Sequence, residues 1–216
     1  MERNYRTILW VTVSLLTISF LGFYKTYFGF FPRFEGTSWV VHFHVFTILS
    51  WFAMLLAQGW LAKNGRIEQH RKIGRLSYLL APLILIGFVL ITNHGQLKNK
   101  DAGLLGATIF DGGMFVLFYV LAIINRRNTA YHARYMILTA IPFINPGLGR
   151  FISPAISLPV ELVLILALLL TSYFQKKPYK PYLVGMGSFF LLLGFIVYIS
   201  LINPIIIENI WNAIWG

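Results

Sequence analysis

The residues of this chain that could do chemistry are polar side chains inside long apolar stretches. An ionisable side chain within a membrane span costs about 2.5 to 3.5 kcal/mol on insertion scales, so each one is expected to face the bundle interior and to have a partner. His44, Trp51 and Gln58 are spaced by seven residues and share one helix face, whereas His42 points about 200° away from His44. We expect His44 and Gln58 to face inward together.

A pocket is expected at the depth of His44, where four further polar residues fall. They are Asp111, Asn145, Arg150 and Glu161, and with Gln58 they would line one outer pocket. Because an imidazole and carboxylates can ligate one divalent metal, His44, Asp111 and Glu161 are candidate metal ligands. Alternatively, Arg150 pairs with one of the carboxylates and His44 completes a buried hydrogen-bond network. No His-x-x-x-His spacing decides between these interpretations.

A second polar group lies at the other membrane face. The segment 70–75 precedes the third predicted span, and His132-Ala133-Arg134 opens the fifth. Helix N-termini attract anions, so with the added arginines we expect an anion pocket for a lipid phosphate or a haem propionate. Nearby cations keep the histidines neutral and free to act as ligands. The candidate cofactor-binding residues are therefore His44, His70, His132, Arg71, Arg75 and Arg134.

The five histidines divide between the two faces of the predicted bundle. His42, His44 and His94 fall near the outer face, and His70 and His132 fall near the inner face. Two bis-His haem sites, one near each face, would need this division. The alternative for the inner group is an ordinary basic loop of the kind that the positive-inside rule describes.

Membrane-spanning helices must position these residues. Hydrophobic residues make up 57% of the 216 residues, charged residues make up 12%, and the mean hydropathy is +0.70, whereas soluble domains are about one-quarter charged. Windows of about 20 apolar residues predict an all-α, polytopic membrane helical bundle in a single domain, 1–216. The predicted spans are 7–24, 39–62, 75–93, 104–124, 133–150, 158–174 and 182–203. Without cysteine, a metal or cofactor would depend on His, Asp, Glu or Met.

The fifth predicted span is irregular, because Pro142 and Pro146 interrupt it, so that it either crosses kinked or re-enters. Seven crossings with a cytoplasmic N-terminus place 13 of the 18 Lys and Arg residues inside, against 11 without the fifth crossing. The positive-inside rule therefore favours seven spans in the cell inner (plasma) membrane. The net charge of +11 indicates anionic lipid at the inner face rather than nucleic acid. The segment after Pro204 suits an amphipathic helix in the outer interface.

The order of these residues resembles a known family. The pattern consists of His44, Gln58, His70-Arg71 followed by Gly74-Arg75 and Tyr78, His132-x-Arg134-x-Met136, and Arg150. It is similar, over about residues 39–165, to that of a bacterial family of predicted membrane proteins of unknown function. The resemblance implies a helical bundle and marks these positions, but it implies no reaction. Histidines near both faces give a more distant similarity to two-haem cytochrome b membrane oxidoreductases.

The sequence leaves three functions open and does not decide whether the protein is an enzyme. The first is binding of haem b or a divalent metal through intramembrane histidines, with electron transfer as its activity. The second is binding or transport of a small ligand, ion or proton in the outer pocket, which the Pro-interrupted helix favours. The third is a structural subunit that binds anionic lipid, either as a homo-oligomer or with a partner in a membrane complex.

Overall fold

The structure, a computed structural model of the chain, describes residues 5–96 and 102–215, which form helices joined by short turns. No strand occurs in these two ranges. The helices are α1 (Tyr5–Tyr24), α2 (Trp39–Lys63), α3 (Ile67–Gly74), α4 (Ser77–Gln96), α5 (Ala102–Ile124), α6 (Thr129–Leu138), α7 (Asn145–Phe151), α8 (Pro154–Phe174), α9 (Lys180–Val197) and α10 (Pro204–Trp215). Short 3-10 segments occupy Phe28–Phe30 and Ile141–Ile144, and a π-helical turn occupies Tyr198–Ile202.

Five stretches are long and apolar enough to cross a bilayer. They are Trp39–Lys63, Ile67–His94, Leu104–Ile124, Ala155–Phe174 and Lys180–Ile202, and α1 adds the shorter apolar stretch Ile8–Tyr24. Large apolar side chains such as Trp10 (71% exposed) and Leu191 (78% exposed) lie on the exterior. Because so apolar an exterior suits lipid rather than water, the chain has the architecture of a membrane helical bundle.

Neighbouring helices run antiparallel between two ends of the bundle. Ser77 near the start of α4 lies 2.9 Å from the Tyr119 hydroxyl near the end of α5, and Thr92 lies 2.7 Å from Thr108 at the other extremity of the same pair. We call the end formed by residues 63–76, 125–132 and 175–180 the basic end. Its described lysines and arginines are Lys63, Arg66, Arg71, Lys72, Arg75, Arg126, Arg127, Lys176, Lys177 and Lys180. We call the other end of the bundle the opposite end. Arg3, Lys98 and Lys100 are among the 18 lysines and arginines that the positive-inside rule weighs, and they lie outside the described residues.

Residues 129–151 form an interrupted segment that extends between the two ends. α6 stops at Leu138, a 3-10 turn follows, and α7 begins at Asn145. Proline rings remove backbone donors, which explains the break around Pro142. At the basic end His132 bonds to the carbonyl of Ala122, and at the opposite end the backbone of Gly147 packs against Gly22 of α1. The segment therefore does not turn back at its proline-rich centre.

A buried aromatic layer separates the two ends. Trp51, Phe52, Phe115 and Phe118 are fully buried in it. The Trp51 Nε1–H donates to the Thr139 hydroxyl at 2.9 Å, so α2 is tied to the residue at which α6 breaks. The polar groups at the two ends are consequently separate sites rather than parts of one channel-like cavity.

Two peripheral helices, α3 and α10, bear on the predictions made from the sequence. The segment that contains His70 and Arg75 was expected to lead directly into the third span, but residues 67–74 form the separate helix α3, with His70 at its middle. The prediction that His70 lies at a free helix N-terminus is therefore wrong. The C-terminal segment forms α10, which packs against α5 and the π-helical turn; its position in a membrane interface stays a prediction.

Candidate functional site

A cavity of about 620 Å³ opens at the basic end between α1, α2, α3, α6, the start of α4 and the end of α5. This volume is typical of small-molecule pockets, which enclose roughly 300 to 1,000 Å³. Its apolar wall includes Ile8, Met54, Leu55, Ile123, Met136 and Ile137. Its polar wall includes Gln58, His70, Arg71, Arg75, Arg126, Arg127 and His132. The cavity thus combines a hydrocarbon surface with cationic and hydrogen-bonding groups.

Two imidazoles from different helices meet at this cavity. The rings of His70 and His132 have centroids 6.3 Å apart and planes inclined by 77°. His132 Nδ1 lies 2.8 Å from the Ala122 carbonyl oxygen, and His70 Nδ1 lies 3.3 Å from the Gln58 carbonyl oxygen. Because a carbonyl oxygen only accepts, Nδ1 is the donor in both rings, which leaves Nε2 of each neutral ring with a free lone pair. Metal-ligating histidines are oriented in this way.

The environment of His132 favours its neutral form. His132 lies outside the five long apolar stretches, at the basic end. Burial lowers its pKa from the ordinary 6.5, and the charge of His70 acts in the same direction, while the hydrogen bond to the Ala122 carbonyl opposes them. Its imidazole is therefore unprotonated at neutral pH, as a ligand must be.

Gln58 supplies a carboxamide without a partner. Its side chain is 7% exposed, and within the described ranges neither its Nε2 nor its Oε1 forms a hydrogen bond. A methyl group built on Gly74 would lie 3.7 Å from that Nε2, so α3 packs directly over the amide. Leaving a buried polar group unpaired costs about 1 to 3 kcal/mol. A ligand with a polar atom in the cavity would recover this free energy.

Within the part of the chain that the structure describes, the arginines at the cavity have no carboxylate partner. The ion pair found among the described residues joins Arg33 to Glu35 at 3.8 Å, at the opposite end of the bundle. Arg126 donates to the Tyr78 hydroxyl at 3.3 Å, which does not neutralise its charge. The charge balance of the cavity therefore suits an anionic ligand.

Arg134 does not belong to the cavity. The sequence placed it among the cofactor-binding residues, but its side chain is 5% exposed, donates to the Ala130 carbonyl at 2.8 Å, and does not line the cavity. On α6, Arg134 lies two residues from His132 and so points to a different side of the helix. The prediction that both side chains serve one ligand is wrong.

The opposite end holds a buried carboxyl cluster instead of a cavity. Asp111 on α5 is 2% exposed, Glu161 on α8 is 1% exposed, and Asn145 is 7% exposed. Asn145 Nδ2 donates to Asp111 Oδ1 at 2.9 Å. Glu161 is near enough for its charge to interact with that of Asp111, and its Oε1 has no hydrogen-bond partner in the described part of the chain. The sequence expectation that these three residues lie at one depth agrees with this geometry.

The predicted metal site does not form at this cluster. The described residues contain no group of three or more His, Cys, Asp or Glu side chains that could hold a metal ion, so His44, Asp111 and Glu161 do not converge as ligands. His44 packs edge-on against Phe88 with centroids 5.4 Å apart, and its Nδ1 lies beside Gly87 of α4. His44 also lies apart from the basic-end cavity, where the sequence grouped it with the cofactor-binding residues.

The alternative network around Arg150 is also wrong in detail. Arg150 is exposed, its guanidinium lies 5.1 Å above the ring of Phe23, and it donates to the Pro146 carbonyl at 3.5 Å. No ion pair joins it to Asp111 or Glu161 in the described ranges. Its long side chain reaches α1 rather than the bundle interior, which spacing along the sequence does not reveal.

The outer histidines do not form a second pair. His42 Nδ1 lies 2.8 Å from the Tyr27 hydroxyl, and burial raises the pKa of that tyrosine in the loop between α1 and α2. Among the described residues, His70 and His132 are the two histidines whose rings contact each other. The expected bis-His site near the outer face is therefore absent from the described part of the fold.

Sequence reasoning misplaced one residue of the cavity and missed two. Gln58 was assigned to the outer pocket, but it lies two helical turns beyond Trp51, roughly 10 Å deeper along α2, and lines the cavity at the basic end. Arg126 and Arg127 also line it, although the sequence used them only as topological charges. Their position immediately before α6, beside His132, was the available signal.

No family model, curated protein or solved structure matches the chain.

Proposed function

We propose that the protein is a seven-span protein of the cell inner membrane that binds haem b at its basic end through His70 and His132. The observation that carries this proposal is the pair of imidazoles at the cavity, each with its Nδ1–H bonded to a backbone carbonyl. The two rings come from different helices and their centroids lie 6.3 Å apart, so His70 and His132 are the residues that would hold a haem here.

The seven-span topology follows from adding two crossings to the five long apolar stretches. α1 and the interrupted segment 129–151 contact each other along their lengths, with α6 near the basic end and α7 near the opposite end. Charge then sets the orientation, because Lys and Arg residues accumulate on the cytoplasmic side. The basic end and the N-terminus accordingly lie in the cytoplasm, which is also the face that anionic lipids occupy.

The ligand count favours haem over a bare metal ion. Structural and catalytic zinc sites need three or four protein ligands, and the described residues contain no such group. A haem would need only one or two side chains of the protein as ligands. The two histidines at the cavity are sufficient for that role.

The other residues that line the cavity suit the macrocycle and the propionates of a haem. Ile8, Met54 and Met136 offer apolar contacts for a macrocycle. Arg71 and Arg75 have no carboxylate partner among the described residues and could pair with propionates. The carboxamide of Gln58, which is unpaired within the same ranges, offers a further hydrogen bond. Bound haem would supply a one-electron redox centre, and electron transfer is the activity that accompanies this proposal.

The visible spectrum of the purified protein, before and after addition of haem, tests the proposal. We expect a Soret band in the wild-type protein, loss of at least nine-tenths of it in His70→Ala and His132→Ala, and retention in His42→Ala, the matched control at the opposite end. A wild-type protein that stays colourless and does not bind added haem contradicts the proposal. Equal retention in all three variants contradicts the assignment of the ligands.

Anionic lipid is the second candidate for the same cavity, and the unpaired arginines favour it. A lipid phosphate would occupy the site of the propionates, and acyl chains would contact the apolar wall. Native mass spectrometry of the wild type and of Arg71→Ala/Arg75→Ala would detect co-purified lipid. Lipid retained by the wild type, lost in the variant and accompanied by no Soret band would favour this candidate over haem.

A further inference from the structure

We propose that Asp111, Asn145 and Glu161 form a proton-binding site in the half of the bundle away from the basic end, in which one proton is held between the two carboxyl groups. Asp111 belongs to α5, Asn145 begins α7 and Glu161 belongs to α8. The site is therefore assembled by the tertiary fold rather than by one helix. It is separate from the basic-end cavity and does not depend on what occupies that cavity.

The hydrogen bond between Asn145 and Asp111 is the first observation. Asn145 Nδ2 donates to Asp111 Oδ1 at 2.9 Å, and both side chains are buried. The amide thus presents its donor side to the carboxyl group. A metal ion would need oxygen ligands turned toward it, so this orientation suits a proton better than a metal ion.

Glu161 provides the second, independent observation. It comes from another helix, is 1% exposed, and its Oε1 has no hydrogen-bond partner in the described part of the chain. Asp111 is the charged group whose field acts on it. The Oε1 of Glu161 accepts no hydrogen bond from the described residues, and a proton on the carboxyl group would remove the cost of burying its charge.

Among the described residues, no cation takes the place of that proton in an ion pair. Titratable groups on the surrounding elements are His44 on α2, His94 near the end of α4 and Arg150 on α7. The charge of Arg150 acts on His44, and Arg150 is exposed and stacked on Phe23. Within the described residues no ion pair reaches Asp111 or Glu161. Two ionised carboxylates buried together without a cation would repel each other in a medium that solvates neither.

The backbone at the site also differs from a regular span. Asn145 follows directly on the 3-10 turn Ile141–Ile144, at the break between α6 and α7. Interrupted helices within membrane proteins occur where backbone groups line an ion or proton site. Buried acidic residues in membrane bundles commonly mark proton relays.

Infrared spectroscopy of the purified protein in H2O and D2O tests the site. At neutral pH we expect a carboxylic-acid C=O band that shifts in D2O. Asp111→Asn and Glu161→Gln should each change its frequency, and only the double variant should remove it, because a single buried carboxyl group still holds a proton. Glu68→Gln, an exposed substitution on α3, should leave the band unchanged. Absence of the band from the wild type, an identical band in either single variant, its persistence in the double variant, or its removal by added Na⁺ or Li⁺ would overturn the proposal.

Thermal unfolding across pH provides a second measurement if one variant does not accumulate. Because the folded state holds a proton that the unfolded chain releases, the wild type should lose stability as the pH rises above about 4, the ordinary range of carboxyl groups, until the folded site itself loses the proton. Glu161→Gln keeps the size of the side chain without the exchangeable proton, so its unfolding temperature should vary less with pH. A wild-type profile without this decline, or an equal decline in Glu161→Gln, would contradict the proposal.

Discussion

The two polar regions of the bundle contain similar residue types but arrange them in different ways. At the basic end, His70, His132 and Gln58 bound an open volume of about 620 Å³, and backbone carbonyls orient the two imidazoles. At the opposite end, Asp111 and Asn145 bond directly to each other within packed helices. The first region can accommodate a small molecule, whereas the side chains of the second are packed closely enough that the ligand we propose for it is a single proton.

This contrast teaches that burial of a polar side chain does not by itself indicate what it binds. In both regions an atom lacks a hydrogen-bond partner, Gln58 Nε2 in one and Glu161 Oε1 in the other. What differs is the volume beside that atom and the charge around it, cationic in one region and acidic in the other. Substitutions in the cavity should mainly change ligand binding, and substitutions at the packed end should mainly change stability.

The largest effect is expected where α1 packs against α7. A Cβ atom at Gly22 would lie 2.6 Å from the backbone of Gly147, so Gly22→Ala forces two helices apart. We expect it to lower the free energy of unfolding by about 3 kcal/mol, the upper part of the range for overpacking. Gly187→Ala is the matched control, because a Cβ there meets nothing within 4 Å. Equal unfolding temperatures of the two variants in detergent would contradict tight packing at the opposite end.

Gln58→Leu should affect the empty and the occupied cavity in opposite directions. Removal of a buried, unpaired amide should raise the free energy of unfolding of the ligand-free protein by about 1 kcal/mol. The same substitution should weaken haem binding several-fold, since the ligand loses a hydrogen bond. Unfolding temperatures with and without added haem measure both effects. A variant that is destabilised without haem would show that Gln58 already has a structural partner.

Acidification should weaken the basic-end region through His132. Because burial lowers the pKa of His132 below 6.5, the unfolded chain binds more protons there than the folded chain does. Stability from this group is complete above pH 6.5 and declines as the pH falls toward the lower folded-state pKa. His132→Asn should flatten the profile of unfolding temperature between pH 5 and pH 7, values set by the ordinary titration range of histidine. An unchanged slope would place the acid-sensitive group elsewhere.

The smallest effect is expected outside both regions. Arg33 and Glu35 form an ion pair at 3.8 Å with both side chains at least 80% exposed, and such pairs contribute little because water screens them. Glu35→Gln should leave the unfolding temperature, the haem spectrum and the carboxylic-acid band unchanged. A measurable shift in any of the three would show that the two regions are not the only determinants of these signals.

Much of the helical framework could be predicted because it depends on local hydrophobicity. The predicted spans 39–62 and 104–124 correspond closely to α2 and α5, because a long apolar composition is sufficient to identify a lipid-facing helix. α3 could not be found in this way, because it is short, polar and without a buried residue. Its position over the cavity depends on the packing of Gly74 against the Gln58 side chain, which is a tertiary contact.

The candidate sites were only partly predictable for a related reason. Shared depth can be read from position in a span, which grouped Asp111 with Glu161 and His70 with His132. Side-chain direction depends on tertiary contacts, so the stacking of Arg150 on Phe23 and the hydrogen bond from Asn145 to Asp111 could not be read from spacing. The backbone carbonyls of Ala122 and Gln58 orient the imidazoles. Because every residue has such a carbonyl, the sequence does not indicate which ones accept these hydrogen bonds.

The small helix that covers the basic-end cavity has a consequence for how a molecule would enter. None of the eight residues of α3 is fully buried, and Ile67 and Ile73 are 40% and 36% exposed, so moving this helix aside leaves the buried core in place. Local opening of such an element requires far less free energy than global unfolding. Exchange of the cavity's contents with the aqueous phase can thus proceed while the aromatic layer around Trp51 stays intact.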